Sequence, residues 1–359
     1  MGGKMTLMVL ALLPGVVFGE SGTRMLADFP AKPGEADDTA RIQRAVDATP
    51  SGVLRIPGGL YRISSTIMVT NRCSLELHKT AVLRAMKPIP YVLHVDNSKA
   101  GELPEGDFRK GDLNLFVTGG KIDGNGFAAC MYITGFCHFT MRDMTFLNGK
   151  EAGLRVHGGC ELIANNLYFR CVIPGLAGNC ALYTTGGDSH YTDCVVVDYT
   201  VGFRLGSGGS NRLTRCHVWG GPLPPAKPGE PCEMLKDSIN FWVDRASSVI
   251  FRDCYADTGK TGYLIDGWDT RMLGCSYFNN KWFKLDGITI VRHKFGRLLV
   301  TDGGFVKNTP NVKVYEGIGS VCWSNMMYSG FGADDDCPGA IQFNGKKSVS
   351  SEALKLAGE

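Results

Sequence analysis

Short runs of alternating apolar and polar residues recur through the middle of the chain. In the run Gly153-Leu154-Arg155-Val156 the second and fourth residues are apolar and the third is polar. Alternation with a period of two is typical of a strand that buries one face. The pattern returns, with an apolar residue at nearly every second and fourth position, in five later runs: Ala181–Thr184, Gly202–Leu205, Asn240–Val243, Gly262–Ile265 and Trp282–Leu285.

A second motif precedes each of these runs. It first occurs as the six residues Met141–Phe146, and its fourth residue has later counterparts at Leu167, Cys194, Cys216, Cys254 and Cys275. Steps of about 21 to 23 residues recur between these positions, and the longer steps need insertions, the largest being Gly220–Asp237. Repeats of this length, with no amphipathic helices between the strands, indicate a solenoid of stacked coils.

The runs and repeats together predict an all-β fold, a single-stranded parallel β-helix over residues 25–345. Equivalent residues of successive coils are then about 4.8 Å apart. An open coil exposes its core, so its ends need a cap. The segment Asp37–Asp47 predicts one helix with acidic residues at its start and Ile42, Ala45 and Val46 on one face, and we expect it to cover the N-terminal end.

The cysteines of the second motif predict a file of thiols inside the coil. Cysteine is a small residue that is usually buried when it is unpaired, and Cys194, Cys216, Cys254 and Cys275 occupy equivalent positions. A zinc site is the alternative, but no CxxC or HxxxH spacing supports it. The total of 13 cysteines is odd. Cys322 and Cys337 lie outside the file, and a disulfide between these two is an alternative that their spacing alone does not decide.

The first 19 residues have the pattern of a secretory signal peptide. Lys4 precedes an apolar stretch that begins at Leu7, and Gly19 is a small residue at the cleavage position. The stretch is shorter than the roughly 20 residues that cross a bilayer, so no integral membrane span is predicted. A buried N-terminal strand or helix is the alternative. We therefore expect a secreted or periplasmic protein, with a polar tail at residues 346–359.

The composition narrows the classes of partner. With 38 basic and 35 acidic residues the net charge is only +3, which favours neither nucleic acid nor an anionic membrane as the main partner. Glycine accounts for 47 of the 359 residues without a triplet period, which excludes collagen and favours a turn-rich β protein.

Two segments resemble the pectate-lyase-like superfamily. Asp37–Gln43 followed by Gly52–Ile63 is similar to its opening "DDT-x-x-IQ" helix and "P-x-G-x-Y" strands, and Gly119–Gly126 resembles the "GG-x-IDGNG" coil of polygalacturonase-like chains. The resemblance covers most of residues 25–330. It implies a right-handed parallel β-helix and an exported protein acting on a polysaccharide, often one rich in uronic acids. The polygalacturonase motifs NTD, DD, GHG and RIK are not found as a set, and Gly187–His190 is only a faint echo of them.

The alternating runs also predict two outward rows of side chains, because every second residue of a strand points to the same face. The third residues of the runs form one row: Arg155, Tyr183, Arg204, Trp242, Leu264 and Lys284. The residues that follow each run form the next row: His157, Thr185, Gly206, Asp244, Asp266 and Asp286. We expect a carbohydrate groove along this face.

Asp244, Asp266 and Asp286 are the predicted catalytic residues. Carboxylates on adjacent coils lie about 5 Å apart, so at least one is expected to have a raised pKa. A protonated acid beside an ionised one is what glycoside hydrolysis needs, and no cofactor is then required. If the aspartates instead bind Ca²⁺, a polysaccharide lyase with Arg204 or Lys284 as base is the alternative. In a third interpretation the three aspartates only end their strands and begin a turn. Gly267 and Gly287 directly follow two of them, which favours this interpretation because Asp-Gly is a common turn pair.

The remaining predicted site residues bind substrate. We expect Tyr183 and Trp242 to stack on sugar rings, unless they pack under the Gly220–Asp237 loop. Arg155 and Arg204 are expected to bind a uronate or sulfate, unless they pair with Glu151 or Asp198. Two histidines and a lysine complete the set: His157, His217 and Lys284. The predicted partner is a polysaccharide or oligosaccharide, and no nucleic acid. A non-catalytic, tailspike-like binding protein is the rival class, and the sugar, the linkage and the oligomeric state stay open.

Overall fold

A computed structural model describes residues 22–96, 114–173, 176, 178–220, 232–233, 237–280, 283–284, 287–332 and 335–343. They form a parallel β-solenoid of about ten turns with one helix near the N-terminus, which confirms the predicted fold. Each full turn contributes one strand to each of three lengthwise sheets, here called sheets I, II and III. The predicted signal peptide and the 346–359 tail lie outside the described residues.

The strands follow one another in the order I, II, III through the regular part of the chain. Sheet I contains Ile67–Val69, Tyr91–Asp96, Ala129–Thr134, Ala152–His157, Cys180–Thr184, Val201–Leu205, Ile239–Asp244, the first halves of Thr261–Leu273 and Ile288–Thr301, and Val312–Gly317. Sheet II contains Thr23–Met25, Val53–Ile56, Ser74–Leu77, Leu115–Thr118, Cys137–Arg142, Cys160–Asn165, His190–Thr192, Asn211–Thr214, Val249–Arg252, the second halves of the same two long strands, and Ser320–Ser324. Sheet III contains Gly59–Ile63, Ala81–Ala85, Lys121–Asp123, Thr145–Leu147, Tyr168–Arg170, Val195–Val197, His217–Trp219, Tyr255–Asp257, Ser276–Phe278, Gly304–Val306, Met326–Ser329 and Ala340–Phe343. A separate pair is formed by Cys232–Glu233 and Phe283–Lys284.

A left-handed residue turns the chain from sheet II to sheet III in successive coils. In the repeated motif it is the third residue, with φ of 58° at Asp143, 52° at Asn166 and 65° at Gly274. Asparagine, aspartate and glycine tolerate this conformation best, which explains why they dominate this position. Arg215 also adopts it, with φ of 51°, and its guanidinium bonds Asp193 of the previous coil at 2.7 Å.

The predicted thiol file is confirmed. Cys194, Cys216, Cys254 and Cys275 each directly precede a strand of sheet III, and all are at most 1% exposed. All four are free thiols. Burial away from water raises the pKa of Cys216 and Cys275, so these groups are apolar packing and not nucleophiles. Cys322 and Cys337 are also free thiols, so the disulfide that the sequence left open between them is not present.

Aromatic rings stack inside the coil as the thiols do. The Phe241 ring lies parallel to those of Phe203 and Tyr263, with centroid distances of 5.6 and 5.1 Å. The three residues are paired in register on adjacent strands of sheet I. In-register pairing therefore sets the spacing of the core as well as that of the surface.

Helix Thr39–Asp47 covers the N-terminal end of the coil, as predicted. Ile42, Ala45 and Val46 are buried beneath it. The Gln43 side chain accepts from the Met68 amide and donates to the Met68 carbonyl, both at 2.9 Å, so it takes the place of a neighbouring strand. Before the helix the Asp37 carboxylate accepts from the Thr39 amide at 2.9 Å, whereas the side chain of Asp38, the N-cap residue, makes no capping hydrogen bond. No helix in the described ranges has the length and apolar character that crossing a bilayer requires.

The stacked core makes a direct stability prediction. We expect Phe241→Ala to lower the free energy of unfolding by about 3–5 kcal/mol, because it opens a cavity between two buried rings. Phe295→Ala is the matched control, since that ring is 44% exposed, and it should cost about 1 kcal/mol or less. Chemical denaturation followed by circular dichroism measures both. Equal losses for the two variants would contradict the stacked interior.

Candidate functional site

Sheet I presents a continuous outward file of aromatic and basic side chains. Register pairs Arg155 with Tyr183, Tyr183 with Arg204 and Arg204 with Trp242, as predicted. The same register extends the file towards the N-terminus through Tyr132 and His94. We call these six residues the aromatic–arginine file: His94, Tyr132, Arg155, Tyr183, Arg204 and Trp242.

The rings and guanidinium groups of this file alternate and stack on one another. The His94 ring lies 4.7 Å from that of Tyr132, and the Arg155 guanidinium lies 5.6 and 5.7 Å from the rings of Tyr132 and Tyr183. Arg204 lies 4.8 Å from the Tyr183 ring and 4.1 Å from that of Trp242. Each such cation–π contact is worth about 0.5–2 kcal/mol. The contacts hold the file in order before any ligand arrives.

Two donors in the file are buried without a hydrogen-bond partner. They are Nε of Arg155 and Nε1 of Trp242. In the described part of the chain Arg155 also makes no ion pair, so the proposed alternative of pairing with Glu151 or Asp198 does not apply to it. A buried donor left unpaired costs free energy.

The prediction was wrong for Lys284, which the sequence placed at the end of the file. Register pairs Leu264 with Arg292, and Asp266 with Phe295, so the next coil enters sheet I at Ile288. Lys284 instead pairs with Glu233 in the separate two-stranded sheet. The physical reason is that the run Trp282–Leu285 only imitates the alternation of a sheet I strand. Asp286 itself lies outside the described residues.

Asp244 and Asp266 are neighbours on adjacent strands, as predicted. Arg204 donates from Nε and from Nη2 to one Asp244 oxygen, at 2.9 and 2.6 Å. The guanidinium neutralises this carboxylate, which removes the basis for expecting two competing charges. Asp266 is half-buried, and among the described residues its carboxylate has no hydrogen-bond or ion-pair partner. The two side chains therefore have different environments although they are adjacent.

The Ca²⁺ alternative was a site of three aspartates in one file. Register makes Asp244 and Asp266 neighbours, and Asp244 binds the guanidinium of Arg204. Asp286 lies outside the described residues, so the Ca²⁺ alternative stays a prediction.

The two predicted histidines lie in different places. His157 is exposed at the end of its sheet I strand, next to the file, and its Nδ1 is 3.0 Å from the Thr185 hydroxyl. His217 lies on sheet III, where its ring stacks at 4.7 Å on Tyr255 and its Nε2 is 3.8 Å from an Asp257 oxygen. The structure therefore brings His157, and not His217, together with the file. Most of the Gly220–Asp237 insertion lies outside the described residues.

Several features of this face were not predicted from the sequence. Trp268 and Phe295 form an exposed edge-to-face pair, with ring centroids 4.6 Å apart and with 62% and 44% exposure. Trp268 lies two residues beyond Asp266, and Phe295 is the register partner of Asp266. At the other end a cavity of about 430 Å³ is bordered by Tyr91, which stacks on Tyr132. Both features extend the apolar surface of the file.

Asp198, which the sequence suggested only as a possible arginine partner, is a further group with an unusual environment. It follows the sheet III strand Val195–Val197 with φ of 64°, and its Oδ1 is buried without a hydrogen-bond partner. Burial raises the pKa of this carboxyl to about 6, although the positive charge of Arg170 acts in the other direction. The proposed pairing with Arg204 is not found, since Arg204 binds Asp244.

Asp198 makes a pH-dependent prediction. Its pKa is higher in the folded than in the unfolded chain, so its contribution to stability is lost as pH rises from about 4 to about 6. Asp198→Asn should therefore become more stable relative to wild type across this range. Asp193→Asn should show no such trend in this range, because hydrogen bonds from Arg215 lower the pKa of Asp193, so its contribution to stability is lost only as pH falls below about 4. Denaturation midpoints between pH 3.5 and 7 measure both, and parallel trends would contradict the assignment.

A parallel β-solenoid with an exposed lengthwise face defines the class of this protein. The chain belongs to the right-handed β-helix family, because the family model described as "Right handed beta helix region" matches residues 112–312. The resemblance to pectate-lyase-like proteins is thereby confirmed at the level of family and fold. No curated protein sequence matches the chain significantly.

Solved structures of similar fold include enzymes and surface proteins. The endo-xylogalacturonan hydrolase of Aspergillus tubingensis is 12% identical, with a TM-score of 0.59 over 86% of this chain and 93% of that one. The surface adhesin PfbA of Streptococcus pneumoniae is 13% identical, with a TM-score of 0.54 over 85% and 91%. The enzymatically active domain of bacteriophage CBA120 tailspike protein 4 is 12% identical, with a TM-score of 0.61 over 85% and 44%. At these identities the likeness shows the fold alone.

Proposed function

We propose that this protein binds an extended anionic polysaccharide along sheet I and cleaves it by glycoside hydrolysis. The observation that carries the proposal is the aromatic–arginine file, which crosses six adjacent strands in register. At about 4.8 Å per strand the file is about 24 Å long. A straight, half-buried file of this length matches an extended chain better than a compact small molecule.

The chemistry of the file favours carbohydrate with negative charge. Rings of Tyr132, Tyr183 and Trp242 offer apolar area for sugar faces at low entropic cost. Arg155 carries a positive charge without a carboxylate partner among the described residues, and its planar fork suits a uronate or sulfate. The hydrolase and the tailspike domain of similar fold are consistent with a carbohydrate ligand.

Asp244 and Asp266 are the proposed catalytic pair. We assign Asp244, whose carboxylate Arg204 binds, the role of base or nucleophile, and its neighbour Asp266 the role of general acid. Environments that distinguish two neighbouring carboxyls are the usual basis of glycosidic acid/base catalysis. Trp268 and Phe295 lie next to Asp266 and are proposed to support the sugar at the reacting bond.

Binding without cleavage is the second candidate function. The Arg204–Asp244 ion pair favours it, because a carboxylate held by an arginine also serves a purely structural purpose. The fold occurs in the adhesin PfbA as well as in enzymes. For either function we propose export through the first 19 residues, which N-terminal sequencing of the mature protein would test.

Cleavage is tested by product analysis on neutral, uronic and sulfated polysaccharides. We expect Asp266→Asn to lower turnover by about 10²–10⁴-fold while affinity for the polysaccharide is kept, because only proton transfer is removed. Asp143→Asn is the matched control, since Asp143 lies in the left-handed turn far along the coil from sheet I. Wild type without turnover would leave only the binding function. Unsaturated products that absorb in the ultraviolet would show elimination instead of hydrolysis.

Binding is tested separately by affinity measurements on the same panel. Arg155→Gln should weaken binding of acidic chains roughly tenfold and leave neutral chains nearly unaffected, because a charge-assisted contact is lost. Tyr183→Ala should weaken both classes, since it removes a stacking surface. Arg271→Gln is the charge-matched control at the sheet II end of its long strand. If Arg155→Gln binds acidic chains as tightly as wild type, the file is not the anion site.

A further inference from the structure

A second cluster of reactive side chains lies on sheet II, away from the proposed polysaccharide face. Register pairs Cys137 with Cys160, which also brings the following residues, His138 and Glu161, next to each other. One ligand atom each of Cys137, His138 and Glu161 lie within 4.8 Å of one another. Across the part of the chain that the structure describes, this is the one group of three metal-ligand side chains that meets so closely.

The contacts inside the cluster are not those of an ordinary ion pair. Nε2 of His138 is 2.6 Å from Oε2 of Glu161, yet this oxygen is buried and accepts no hydrogen bond. The ring N–H is therefore not directed at the carboxylate. A nitrogen and an oxygen that face a common point without a shared hydrogen are what a metal ion between them would satisfy.

The backbone holds these side chains on the outer surface. His138 and Glu161 have φ of 56° and 59°, in the left-handed region that residues with a side chain adopt at a cost. Asp188 and Ser210 continue the same conformation on the next two coils, with φ of 51° and 56°. Glycine would relieve this cost, so a glycine at either position should leave the backbone of the coil intact.

We propose that Cys137, His138 and Glu161 bind a divalent transition-metal ion of the Zn²⁺ class. Zn²⁺ takes thiolate, imidazole and carboxylate ligands, at about 2.3, 2.0 and 2.1 Å. Tetrahedral binding at these lengths separates the ligand atoms by about 3.3–3.6 Å. The Nε2–Oε2 distance has to widen by less than about 1 Å, which rotation of two half-exposed side chains achieves.

Three protein ligands leave the fourth position of the ion open. His138 and Glu161 border a pocket of about 470 Å³ that opens to solvent. Its other walls include Asp188, His190 and Arg212. The open position therefore faces a space in which water or a small ligand reaches the ion, as in zinc sites that are not purely structural.

Cys160 limits the conditions under which the site forms. Its sulfur lies 3.0 Å from that of Cys137, so a disulfide between them would remove the thiolate ligand. The proposed site therefore belongs to the reduced protein. Cys160→Ser keeps the three ligands and prevents the disulfide, which makes it the decisive variant.

The experiment uses untagged full-length protein in a non-chelating reductant, with Co²⁺ as a spectroscopic probe and Zn²⁺ as competitor. We expect one Co²⁺ per chain with a thiolate-to-metal charge-transfer band that Zn²⁺ abolishes. Cys160→Ser should behave like wild type. Cys137→Ser should lose the band, and Glu161→Gln and His138→Gly should weaken binding at least about tenfold. The matched cysteine control is Cys322→Ser, because Cys322 is an exposed thiol outside the cluster.

Loss of binding in the variants must not come from loss of fold. His138→Gly relieves the left-handed conformation, so its melting temperature should not fall while its metal affinity does. The proposal is overturned if reduced wild type and Cys160→Ser both retain no Co²⁺ or Zn²⁺. It is also overturned if Cys137→Ser binds as tightly as wild type, or if a Cys137–Cys160 disulfide persists under reductant.

Discussion

The in-register hydrogen bonding of successive parallel strands is the constraint on which this structure depends. It sets one spacing of about 4.8 Å for everything attached to the backbone. Inside, that spacing stacks the rings of Phe203, Phe241 and Tyr263 and buries the four-thiol file. On the outside, the same spacing brings aromatic rings and guanidinium groups into alternating contact along sheet I. A single repeated hydrogen-bond pattern therefore produces both the core and the candidate binding face.

The same constraint explains how one coil differs chemically from the next. Replacing one residue changes the side chain on one coil of a file and leaves the side chains on the neighbouring coils in place, because backbone hydrogen bonds set the register. Asp244 and Asp266 illustrate this, because equivalent positions give one carboxylate an arginine and leave the other without a partner among the described residues. Cys137, His138 and Glu161 show the same on sheet II, where two adjacent coils bring together three different ligand types. Chemistry in this fold arises between coils and not within one.

The fold and the centre of the aromatic–arginine file could be predicted from the sequence, because the order of the coils in that part of the chain is unambiguous. Arg155, Tyr183, Arg204 and Trp242 each lie at the third place of a run, and register confirms them. The sheet I position predicted for Lys284 was wrong because two alternating runs lie close together, and pairing selects the one that begins at Ile288. His94 and Tyr132 were missed although their strands alternate in the same way. The pairing of Arg204 with Asp244 depends on side-chain direction, which no spacing reveals.

The central claim is that sheet I, with its aromatic–arginine file leading to Asp244 and Asp266, is the carbohydrate site. A crystal structure of Asp266→Asn with an acidic oligosaccharide tests it most directly. The account predicts sugar rings against Tyr183 and Trp242, an anionic group on Arg155, and a glycosidic oxygen beside residue 266. Sugar bound only in the sheet II pocket, or on sheet III beside His217, would contradict it.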